Sequence, residues 1–136
     1  QLYSGNGYVE FSGFRTGDDV NISWLVTPAF DLTGATDAYI NFKLAQHHLD
    51  DEDNNTLEVF VSTDFDGTNV TTAIWEKQNV AVPGEDIPWY AFQDVGLIDV
   101  SSYSGNLYVA FKYVGSGTDT SLDGGYFVDD VLFLKK

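Results

Sequence analysis

The run LYVAFKYV (107–114) places Leu107, Val109, Phe111 and Tyr113 on alternate positions, against Tyr108, Ala110 and Lys112. Successive side chains of a strand point to opposite faces, so this period of two buries one face and leaves the other for a second environment. The same alternation recurs on both sides of it. In YINFKLAQHH (39–48), Ile40, Phe42 and Leu44 oppose Asn41 and Lys43; in LEVFVST (57–63), Leu57, Val59 and Val61 oppose Glu58 and Ser62. Further short runs rich in Val, Ile, Phe, Tyr and Thr read as strands at YVEFSGF (8–14), SWLVT (23–27), TAIWEK (72–77), PWYAFQDV (88–95) and YFVDDVLFL (126–134). Gly, Asp, Asn and Ser clusters separate them, and no stretch sustains a helical period; DVSSYSG (99–105) has room for one helical turn. About eight strands in one short chain predict an all-β fold, an antiparallel β-sandwich of jelly-roll type, as a single module over residues 1–136.

Composition narrows the partners. Six basic residues stand against 21 acidic ones, a net charge of −15. Such a surface repels nucleic acid and anionic membranes and favours cations. No segment approaches the ~18 consecutive apolar residues of a membrane span. Cysteine is absent, so no disulfide holds the fold and a Cys-based zinc site is excluded. Methionine is absent too and the first residue is Gln1, which points to a processed product or a module excised from a larger protein, with covalently linked neighbouring domains.

Four motifs occur in order: SWLVTPAFDLTG (23–34), LEVFVSTDFDGTNVTTAIWEK (57–77), IDVSSYSGNLYVAFKYVG (98–115) and FVDDVLFL (127–134). Together they resemble the choice-of-anchor J and cleaved-adhesin (MAM-like) jelly-roll domains of exported Bacteroidota proteins, over roughly Gly5 to Leu134. The chain departs from that pattern in having little ahead of GNGYVEFSG (5–13), where such domains often carry another strand. The resemblance implies an accessory part of a secreted or cell-surface protein, related to adhesin and carbohydrate-binding jelly rolls. It also implies that an aspartate of the last strand, Asp129 or Asp130, helps bind a structural calcium ion. Glu10 and Asp18 or Asp19 are the acidic residues available to complete such a site, since calcium takes six to eight oxygens. Otherwise the carboxylate caps neighbouring backbone amides. Asp129 and Asp130 interrupt an apolar strand and need partners in any case.

The remaining candidates lie in loops. Asp64-Phe-Asp-Gly67 has the opening of a calcium loop but reads better as a turn, where Asp and Gly are favoured. His47 and His48 end a strand, so their rings are expected on opposite faces, with His48 continuing the row of Leu44 and Gln46. The acidic tract after them is either a solvated loop tip or a binding loop, with Gln46, His47, His48, Asp50 and Asp53 meeting sugar hydroxyls. Trp89 and Tyr90 follow a Pro-bounded loop and should point apart; Asp123 and Tyr126 border the Gly-rich tract 115–125, flexible by composition. Trp24 reads as core, and Trp75 carries the same ambiguity. Nothing resembles a serine elbow, a cysteine nucleophile or a phosphate loop, so no enzyme is expected. The reading is a non-catalytic carbohydrate-binding module for a neutral or cation-bridged polysaccharide. The alternative is an adhesion or spacer domain that binds no sugar. The 47–55 and 116–125 segments are expected at the rim of one cleft.

Overall fold

The computed structural model describes residues 2, 3 and 6–136, with side chains from residue 7 onward; Gly5, which opens the resemblance, lies outside them. The strands are β1 (Leu2–Tyr3), β2 (Asn6–Gly7), β3 (Val9–Ser12), β4 (Asn21–Val26), β5 (Phe30–Asp31), β6 (Ala38–His47), β7 (Thr56–Ser62), β8 (Glu76–Lys77), β9 (Gln93–Asp94), β10 (Ile98–Asp99), β11 (Asn106–Gly115) and β12 (Gly125–Lys135). They form two five-stranded antiparallel sheets and a small β1–β2 pair. One sheet runs β10–β6–β12–β3, with β9 also pairing β6; the other runs β4–β11–β7–β8, with β5 also pairing β11. The protein is an all-β antiparallel sandwich.

The alternation of the long strands sets the core. Ile40, Phe42, Leu44, Tyr126 and Val128 meet Leu57, Val59, Val61, Leu107, Val109, Phe111 and Tyr113 between the sheets. Phe42 and Phe111 pack edge to face at 4.9 Å, and Phe11 stacks on Tyr113 at 5.8 Å. Burying each such side chain contributes about 1.5–3 kcal/mol.

Two expected strands are mostly loops. Of 72–77 only Glu76–Lys77 pairs, and of 88–95 only Gln93–Asp94. Residues 99–105 hold a turn closed by Tyr103 N donating to Val100 O, without a helix. The single short 3₁₀ turn among the described residues is Thr120–Leu122, capped by Asp119. It closes the 115–125 tract, where Leu122 O accepts from Ser116 N and Ser116 Oγ accepts from Thr118 N and Asp119 N.

Trp24 is not in the core. Its position opposite Lys112 puts it on the outer face of the β4–β11–β7 sheet. There the 63–75 loop folds back over it. Trp75 lies 5.6 Å from Trp24 and 5.4 Å from Phe65, and Phe65 meets Tyr108 at 5.1 Å. Apolar side chains that look like strand residues gain their burial here by covering a sheet face. The same loop employs the Asp-Phe-Asp-Gly carboxylates as staples. Asp64 Oδ1 accepts from Ser62 Oγ and Ile74 N, and Asp66 Oδ1 from Thr68 N and Asn69 N.

Asp129 and Asp130 sit at a β-bulge, where the β12–β6 register shifts between Asp129 and Leu132 and Asp130 takes φ 51°. A bulge breaks the alternation expected of adjacent strand residues and turns both carboxylates away from the core. Asp130 pairs with Lys43 Nζ at 3.1 Å, and Asp129 Oδ1 accepts from Asp130 N.

Candidate functional site

The outer face of the other sheet is built differently. On β6 it carries Ala45 and His47, and on β12 Phe127, all three buried. An outward residue is buried only if something lies on it, and here it is the 84–92 segment. Gln46 anchors that segment from inside the strand. Its Nε2 donates to Gly84 O and Ile87 O, its Oε1 accepts from Leu49 N, and Gln46 O accepts from Tyr90 N. Gln46 is wholly buried with both ends of its amide engaged, so it positions the site and does not face a ligand.

What this segment presents is aromatic. Tyr90 stacks on His47 at 5.5 Å with the rings 5° apart, and Trp89 lies on His48 at 3.9 Å. Phe92, Tyr8 and Tyr90 all meet Phe127, at 6.0, 4.9 and 5.7 Å. Tyr8, Tyr90, Phe92 and Phe127 line an open, mainly apolar trough of about 490 Å³. Trp89 is 51% exposed, Tyr90 57% and Phe92 37%. Tyr90 and Phe92, braced from below by His47 and Phe127 and open above, form the exposed cluster that sequence could not show, and Trp89 is exposed beside them on His48.

Trp89 and Tyr90 do not point apart, because they lie in a turn in which Tyr90 has φ 63°. Nor do the histidines. His48 leaves β6 at φ 53°, which swings its ring back until the two Nδ1 atoms are 2.9 Å apart, one donating to the other. His48 and Tyr90 are two of the four non-glycine residues with positive φ among those described. Each such residue carries about 1–3 kcal/mol of strain, which concentrates at functional sites.

Beside the trough, and sharing Tyr90 with it, is a cavity of about 290 Å³ lined by Glu10, Ser12, Phe14, His47, His48, Tyr90 and Asp123. His47 is 7% exposed. Its Nε2 lies 3.2 Å from Glu10 Oε1 without the alignment of a hydrogen bond. Burial pushes the His47 pKa below the ordinary histidine value and proximity to His48 adds to this, while Glu10 and Asp123 pull the other way. His47 and His48 thus share one cavity with Asp123 of the Gly-rich tract, and the third wall is the 88–92 turn.

Other candidates fall elsewhere. Tyr126 is core, its hydroxyl donating to Asn55 O at 2.7 Å, and burial pushes its pKa up. Asp50 is exposed. Asp53 lines a larger cavity of about 610 Å³ with Glu52, Glu58, Lys77 and Asp86. Tyr126 also lines that cavity, but it is buried and offers no exposed ring. Its Glu52 is committed to the fold, exchanging backbone-to-carboxylate bonds with Glu85 across two loops.

The proposed calcium donors are dispersed. Glu10 is beside His47, Asp19 Oδ1 accepts from Thr118 Oγ1, Asp18 O accepts from Gly117 N, and Asp130 is paired with Lys43. Among the described residues, no three His, Asp or Glu side chains converge where a metal could sit.

Sequence reasoning missed Tyr8, Phe92 and Phe127 as site residues. The available signal was that β12 is apolar on both faces, which requires a covered outer face. No family model matches the chain, and no curated protein matches it. No helix among the described residues is long and apolar enough to cross a membrane.

Proposed function

We propose that the chain is a non-catalytic carbohydrate-binding module of a secreted or cell-surface protein, of the jelly-roll kind that its four motifs resemble. The observation that supports this most is the open aromatic trough of Tyr8, Tyr90, Phe92 and Phe127 on one sheet face, with exposed Trp89 beside it on His48. A pyranose ring has an apolar face of C–H groups that stacks on such rings, while its hydroxyls need polar groups at the rim. Glu10, Ser12, His48 and Asp123 are the polar groups that line the adjoining cavity. The contrast with the opposite sheet strengthens the reading, since the aromatics there are covered by the 63–75 loop. Packing of Tyr90 on His47 and of Trp89 on His48 holds the exposed rings in place, and a rigid platform loses little entropy when a ligand docks.

The test is affinity electrophoresis through gels containing soluble polysaccharides of differing backbone and charge, with wild type beside Trp89→Ala and Tyr90→Ala. One glycan should retard the wild type, and each variant should weaken that retention by about 1.5 kcal/mol, roughly tenfold. Equal mobility of wild type and both variants in every gel would leave the module as an adhesion or spacer domain.

A further inference from the structure

The chemistry around the platform narrows the ligand class, an inference that rests on the glycan reading above. We propose that the site takes a polysaccharide bearing protonated amino groups, a de-N-acetylated aminohexose chain, with sugar faces on Tyr90 and Phe92 and an ammonium group in the cavity lined by Glu10 and Asp123. The trough and the 290 Å³ cavity share Tyr90, so a sugar stacked there sends its substituents toward those two carboxylates.

Neither carboxylate has a lysine or arginine partner among the described residues. The ion pairs found are Lys43–Asp130, Lys77–Glu58 and His47–Glu10. Arg15, the only arginine in the chain, lies with its guanidinium 4.9 Å over the ring of Phe14, a wall of the same cavity, and forms no ion pair with either carboxylate. His47 does not supply the charge either. Its ring is more than nine-tenths buried, its Nε2 lacks a hydrogen-bond partner, and burial favours the neutral form. A ligand that covers the cavity strips water from Glu10 and Asp123. With a neutral sugar they would be left without a counter-charge, and with a uronate or sulfate they would meet a like charge. An ammonium group supplies the missing cation, and its charge also interacts favourably with the Tyr90 ring that lines the cavity. The net charge of −15 attracts such a polymer from a distance.

Because any acidic protein attracts a cationic polymer, the experiment separates the site from the overall charge. Retention is measured on a soluble β-linked N-acetylglucosamine polymer and on the same polymer largely de-N-acetylated. The chains compared are wild type, Glu10→Gln/Asp123→Asn, Asp123→Asn alone in case the double variant folds poorly, and Asp37→Asn/Asp66→Asn, which has the same net charge as the double variant. Wild type should prefer the de-N-acetylated polymer by about tenfold or more. The ratio should collapse toward one in Glu10→Gln/Asp123→Asn, fall in Asp123→Asn, and persist in Asp37→Asn/Asp66→Asn. Equal loss in both double variants would show attraction by net charge and overturn the inference. If wild type shows no preference but Tyr90→Ala still loses retention on the acetylated polymer, the amine inference falls and the glycan reading stands. No retention on either polymer or on any neutral glycan overturns both.

Discussion

Tyr113→Phe removes one oxygen atom from the centre of the sandwich, and its consequence is large for that reason. The Tyr113 hydroxyl donates to Gly124 O at 2.6 Å and accepts from Gly13 N at 2.9 Å and Asn55 Nδ2 at 3.3 Å. These groups belong to the β3–β4 connection, the acidic loop and the Gly-rich tract, so one hydroxyl ties three segments at the end of the sandwich. All are buried, and the hydroxyl packs directly against Gly115, where a Cβ would run into it. Phenylalanine keeps the packing and strands Gly13 N–H and Gly124 C=O, at about 1–3 kcal/mol each; Asn55 Nδ2 keeps its bond to Val114 O and adds little. The expected loss is about 2–6 kcal/mol. With a urea slope of about 2 kcal/mol/M for a domain of this size, the unfolding midpoint should fall by about 1–3 M. A fall of less than about 0.5 M, at unchanged slope, would refute the claim that this hydroxyl holds the three loops.

Other outcomes follow from the same geometry. Burial lowers the His47 pKa from its ordinary 6.5, so below that value the unfolded chain takes up a proton that the folded ring refuses. Stability from this residue is therefore complete above about pH 6.5 and declines as pH falls. Urea melts at about pH 8 and about pH 5 should show wild type losing more than His47→Phe, and parallel losses would contradict the assignment. Gly125→Ala drives a Cβ into Phe11 O and the His47 ring, and should lower stability by about 1–3 kcal/mol in thermal melts. A wild-type melting temperature would show that β3 and β6 are not held as closely as described. Because no three acidic or His side chains converge among the described residues, chelator should leave the melting temperature unchanged; a rise on adding calcium, as RT ln(1 + [L]/Kd) requires of a native-state ligand, would support a calcium site.

The sequence by itself determined the sandwich. In β6, β7 and β11 every second residue is apolar, and a strand has only two faces, so the inward set is fixed once the period is two. It also marked the approximate limits of those strands; of the candidate residues it singled out, His47, His48 and Asp123 line one cavity, while Asp53 and Tyr126 line another. It failed where burial is achieved without pairing. Trp75 and Phe65 look like strand residues but cover Trp24 and Tyr108, and Trp89 and Tyr90 belong to a turn held down by Gln46. Local pattern gives each residue a face only while the backbone stays extended. At His48, Tyr90 and Asp130 the backbone enters the left-handed region, and alternation no longer says where the side chain goes. Only the tertiary structure decided which aromatics are covered and which are open. That depends on how a loop far away in sequence lies across a sheet face, and no periodicity within either segment encodes it.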